Sequence, residues 1–202
     1  CYRFGSPSDV ALVIKGGADV NARDEEGYKP LHVVASQNPN LGVIKLLVEA
    51  GANVNARDLQ GMTPLHWAAG GNPENEVIIE LIELGADLNA CDKDGWTPLH
   101  FAVQNESNLF AITTLLKAGA DVSVKCKNGG RPIDYAKKQD RLRDTAQFQA
   151  LHVASMQQSL EGMKISDNDF WAICRNGSPR EVEVAVKAGG NLNFRNEYGW
   201  TM

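Results

Sequence analysis

Along residues 58–91 the apolar positions form two short helical groups separated by polar turns. Leu65, Trp67, Ala68 and Ala69 follow Pro64, and Val77, Ile78, Leu81 and Ile82 recur at the spacing that puts them on one helix face. Pro64 suits a first helical position, whose N–H would have no intrahelical partner in any case. Thr63 before it carries a hydroxyl able to cap the helix. The stretch "GGNPEN" (70–75) predicts the break between the helices. Gly85 predicts the end of the second, because glycine enters the left-handed conformation that closes helix C-termini. The polar residues 86–95 predict an extended loop or hairpin.

This pattern repeats. Asp24, Asp58, Asp92 and Cys126 open successive units 34 residues apart, with Gly27, Gly61, Gly95 and Gly129 in fourth place and Pro30, Pro64, Pro98 and Pro132 in seventh. A period of this length implies a solenoid in which each helix pair buries its apolar face against its neighbours. Leu31, Leu65 and Leu99 are the expected seam.

The recurring "TPLHWAA" and "GADLNA" resemble the ankyrin repeat, with three near-complete units over 24–125 and partial or altered ones on either side. The resemblance implies an all-α solenoid with short β-hairpin turns. The expected organisation is an array over 1–158: a partial repeat 1–23, repeats 24–57, 58–91 and 92–125, and a capping repeat 126–158. Each middle unit is one residue longer than the usual ankyrin unit, and the extra residue falls in the loop between the helices ("NPNLG", "NPENE", "NESNL"). It is expected to change that loop on the far side and leave the stacking alone.

Three of the four histidines, His32, His66 and His100, occupy the same place in the motif. The resemblance implies that the motif's Thr and His hydrogen-bond within and between turns, which fits Thr63 with His66 and Thr97 with His100. Lys29 stands in the Thr place before His32, so a weaker network is expected there. Helices pack roughly 8–10 Å apart, too far for equivalent histidines to share one ion held at about 2 Å. The fourth, His152, is expected at the surface or rim.

The unit opening at Cys126 is altered: Arg131 and Asp134 stand in the Thr and His places, and its second helix is rich in polar residues. A solenoid needs a water-compatible terminal unit, and this one reads as such a cap. Residues 159–166 read as a linker. Beyond it, the residues from Tyr2 onward return at an offset of 172: Arg3, Gly5, Ser6, Pro7 and Val10 recur as Arg175, Gly177, Ser178, Pro179 and Val182. Residues 167–202 therefore read as the first, incomplete repeat of a second array. Phe170, Trp171, Val182 and Val186 are expected to pack onto the cap, or onto another copy of the chain through self-association. Cys1 falls inside an apparent helix with no initiating methionine before it, so a longer parent chain is expected.

Of the 202 residues 43% are hydrophobic, as in a folded chain, and the formal net charge is -5. That balance argues against nucleic-acid binding, which rests on clustered positive charge; the one basic run, "KKQDRLR" (137–143), is interrupted by Asp140. No apolar run is long enough to cross a membrane. The four cysteines form no C-x-x-C pair and no zinc-site spacing. They fit a reducing, cytoplasmic compartment, although arrays of this style also occur in bacterial proteins delivered into host cells. The sequons at Asn105 and Asn176 carry little weight in that setting. No catalytic motif is present, and the carboxylates of the turns lack the apolar surroundings that raise a pKa. No enzyme activity, cofactor or metal is expected.

The resemblance implies a non-enzymatic scaffold that binds a protein partner on a concave surface made from turn tips and first helices. Carried onto this chain, the contact positions are Glu25, Glu26 and Tyr28, then Leu59, Gln60 and Met62, then Lys93, Asp94 and Trp96. Gln37, Gln104 and Asn105 join them from the ends of the first helices. Tyr28 and Trp96 are expected to bind, whereas Trp67 and Phe101 are expected to pack. The alternative is a regulatory or targeting segment of a larger enzyme whose catalytic domain lies outside the chain.

Overall fold

A computed structural model describes residues 6–37, 40–72, 74–105, 108–160 and 167–187. Among these lie eleven α-helices and no strand. Helix α1 (Pro7–Lys15) comes first, followed by the pairs α2 (Pro30–Gln37) with α3 (Leu41–Glu49) and α4 (Pro64–Gly71) with α5 (Asn75–Glu83). Then come α6 (Pro98–Gln104) with α7 (Leu109–Lys117), α8 (Pro132–Ala136) with α9 (Ala146–Leu160), and α10 (Asp167–Asn176) with α11 (Pro179–Lys187). Two layers result. The first helices α2, α4, α6 and α8 pack in one row, and α1, α3, α5, α7, α9 and α11 pack in a second.

The punctuation read from sequence holds. Each of Pro30, Pro64, Pro98 and Pro132 is the first residue of its helix. Gly85 has φ 90° and closes α5: its N–H donates to Ile82 and that of Ala86 to Leu81, the paired bonds of a Schellman turn. Leu31, Leu65 and Leu99 are at most 1% exposed and belong to one continuous core with Ile44, Ile78 and Ile112 from the second layer. Small Ala35, Ala68 and Ala102, all enclosed, let the first helices approach.

Three expectations change. The loops expected as β-hairpins are tight turns, closed by bonds such as Met62 N–H to the Asp58 carboxylate and Asp58 N–H to the Met62 carbonyl. Neighbouring turns share a single backbone bond each, from Lys93 N–H to Gln60 O and from Lys127 N–H to Asp94 O, both 2.8 Å. One bond per turn does not make a strand ladder.

The loop between the helices also takes part in the stacking. Asn72 and Asn108 are buried; the Asn72 amide donates to Ala35 O at 2.9 Å and the Asn108 amide to Asn72 O at 2.8 Å. A buried amide needs partners, and the longer loop puts these two where the carbonyls of the preceding unit supply them.

The cap, finally, is not an outer face. Helix α11 lies on α9, with Val184 and Ala185 6% and 0% exposed, while Val182 and Val186 are half-buried. His152 is half-buried, and its Nδ1 stands 2.8 Å from the Glu181 carboxylate across that junction. Helix α9 runs to Leu160 and takes up the first two residues of the expected linker, whose residues 161–166 lie outside the described residues. The side chains of Phe170 and Trp171 and the residues 188–202 lie outside the described residues. On α1, whose sequence α11 repeats, the equivalents Leu12 and Val13 are 72% and 60% exposed.

Candidate functional site

The motif histidines fix the turn tips. Thr63 N–H donates to His66 Nδ1 at 3.0 Å, so Nδ1 carries no proton; the Thr63 hydroxyl, 2.9 Å away, donates to it as well. The hydroxyl thus serves the imidazole. The proton sits on Nε2, which donates to Trp96 O in the next turn at 3.0 Å. His100 repeats the arrangement with Thr97 and Gly130 O. His32 lacks the hydroxyl but takes Lys29 N–H on Nδ1 and donates from Nε2 towards both Ala56 O and Met62 O, at 3.0 and 3.2 Å. Its network is altered more than weakened. In the cap, Arg131 and Asp134 replace the pair, with the Arg131 N–H and Nε–H both donating to the Asp134 carboxylate.

These bonds reach the carbonyl of the fifth turn residue each time: Met62, Trp96 and Gly130. The tip column is therefore held in register by buried side chains 30 residues upstream. Burial pushes all three imidazoles below their ordinary 6.5. Below about pH 6.5 the unfolded chain binds protons that the folded array refuses, so this contribution is present above that pH and lost as pH falls through and beneath it. The melting temperature is expected to be flat from about pH 8 to 7 and to decline from about pH 6.5 to 5, before most carboxylates protonate. An unchanged value between about pH 7 and 5 would contradict neutral, buried imidazoles.

Two interleaved aromatic columns cover the first helices. Tyr28 meets Trp67 edge-on with ring centroids 5.1 Å apart; Trp96 lies 4.9 Å from Tyr135 and 5.5 Å from Phe101. Tyr28 and Trp96 each lean on the first helix of the following unit. Trp67 donates its indole N–H to Asp58 at 2.9 Å, and Gly70 leaves room for Phe101, whose Cδ1 would lie 3.2 Å from any Cβ there. Trp67 and Phe101 pack as expected. Tyr28 and Trp96 are half-buried and do so too, which is more structural work than their turn positions suggest.

Of the twelve contact positions, Glu25, Glu26, Gln37, Leu59, Gln60, Lys93, Asp94 and Gln104 are exposed, while Tyr28, Met62, Trp96 and Asn105 are half-buried. The turns bring the tip residues into one row. Asn72 and Asn108 stood in the sequence without signal, and Asp58 was marked only as a unit start: their roles depend on which carbonyls and indoles the stack brings near. Among the described residues, no three His, Cys, Asp or Glu side chains converge as a metal site would require.

The family model for ankyrin repeats (3 copies) matches residues 1–90 and again 72–165. The chain belongs to the ankyrin-repeat family. No curated protein matches it. Ankyrin repeats generally serve as protein–protein interaction modules and are typically non-catalytic. Among the described residues of this ankyrin array, no helix is long and apolar enough to cross a membrane.

Proposed function

We propose that this array is a non-enzymatic scaffold that binds a protein partner along the concave face of turn tips and first helices. What carries this reading is the row of exposed side chains on tips whose backbones are tied to the unit before: Leu59 and Gln60, Lys93 and Asp94, beside half-buried Met62 and Trp96. A rigid display lowers the cost of ordering a surface on binding. Helix pair 167–187 is read as the opening of a second array, joined to the first through α9.

Affinity capture with mass spectrometry tests this. A variant carrying Gln60→Ala and Lys93→Ala should melt as the parent does and lose most of the captured proteins. Trp96→Ala should weaken capture by over about 1 kcal/mol, the scale of an interface hot spot, and also lower the melting temperature because its ring contacts stabilise the stack. Identical capture by the parent and both variants would remove the tip face from the account.

A further inference from the structure

Between α2 and α4 the tip face holds a cleft of about 100 Å³ lined by Tyr28, His32, Val33, Ser36, Gln37 and Trp67. That is room for one side chain and far below the size of a cofactor site. Its two large walls are aromatic, and an edge-on pair uses only one of its four ring faces. Trp67 is locked in place by its bond to Asp58, and donation to a carboxylate enriches the indole π-system.

The charges that act on the Tyr28 phenol in the cleft wall are carboxylates. Burial raises the Tyr28 phenol, and the carboxylates of Asp58, Glu26 and Asp24 raise it further. At the other end stand Ser36 and Gln37 in the last turn of α2, where helix carbonyls favour a cation. Elsewhere the array places a cation on one ring of an equivalent pair. Trp96 and Tyr135 occupy, two units on, the places of Tyr28 and Trp67, and there the Lys138 ammonium lies 5.4 Å from the Tyr135 ring centroid. In the unit of Trp67 the residue matching Lys138 is Gly70, which has no side chain and packs against Phe101, so the chain places no cation of its own there.

We infer that this cleft receives a lysine or arginine side chain from the protein partner, its stem along Val33 and its cationic head against the Tyr28 and Trp67 rings, facing Asp24 and Glu26. The inference rests on the scaffold reading and names the chemistry of the partner at this point: a basic segment. Cation–π attraction and the carboxylate field both select a cation over an anion or a neutral group of equal size.

The test follows the indole N–H resonance of Trp67, assigned with Trp67→Phe, in the full chain. Three capped pentapeptides are titrated in, identical except for a central lysine, arginine or norleucine; norleucine keeps the stem and removes the charge. Lysine and arginine peptides should shift Trp67 saturably and leave Trp96 in place, and norleucine should not. Tyr28→Leu should weaken the effect by about three- to fivefold, the span of one exposed cation–π contact, and Glu26→Gln should weaken it too. The Trp96 resonance reports that each variant is folded. An unmoved Trp67 with the lysine and arginine peptides, an equal response to norleucine, or full response in folded Tyr28→Leu would each overturn the proposal. Loss of capture in the Gln60 and Lys93 variant alongside an unmoved Trp67 would keep the scaffold and discard the cation site. A Trp67 shift in a chain that captures no partner would do the reverse.

Discussion

Leu65→Ala is expected to destabilise the array by about 3 kcal/mol, in the range found when an enclosed leucine is truncated and its cavity collapses only in part. Leu65 is wholly buried on α4, and the helices that flank α4 in the first row are α2 and α6. The loss therefore falls on two interfaces between repeats as well as inside one unit, and solenoid stability is largely a sum of such interfaces. Ile79→Ala on α5 is the matched control, because Ile79 is 41% exposed and should cost no more than about 0.5 kcal/mol. Urea unfolding followed by circular dichroism measures both. Equal effects would mean that the leucine seam does not hold the units together.

His66→Ala is expected to cost about 3 kcal/mol as well, for a different reason. The Thr63 N–H and hydroxyl and the Trp96 carbonyl lose their partner inside the stack, and each stranded buried group costs about 1–3 kcal/mol less whatever water can recover. The effect should also be visible as loosening of the Trp96 turn. His152→Ala offers the comparison. Its imidazole is 39% exposed and pairs with Glu181, whose carboxyl burial would raise but which bonds from Ser178 and the nearby His152 hold low. With its imidazole this open to solvent, the pair contributes up to about 1 kcal/mol. If the two alanine variants melt alike, the motif histidine is not the tie between turns.

What could be read from sequence was whatever is local or periodic. Pro64 and Gly85 act on their own backbone, so helix starts and stops were legible residue by residue. Leu31, Leu65 and Leu99 recur at one spacing, and a shared spacing marks a shared environment. The Thr–His pair came from family resemblance and holds. Missed were the contacts that depend on the neighbour's shape. Asn72 looks like one more turn asparagine until the carbonyl of Ala35 lies beneath it. Trp96 reads as an exposed tip until Tyr135 and Phe101 arrive from two helices. His152 gains its role only because α11 folds back over α9. The binding residues were legible as positions in a row, yet the cleft beside Tyr28 could not be: it is set by the packing of α2 on α4.

Native-state hydrogen exchange at the amides of Lys93 and Lys127 tests the stacking of tips most directly. Both lie in exposed turns, and both donate to the turn before, to Gln60 O and Asp94 O. If the turns form one linked row, these two amides exchange as slowly as those inside α4 and α6, because they open only when neighbouring units part. Exchange at the rate of an unstructured peptide would show the tips to be independent loops, and the displayed face with its cleft would go with them.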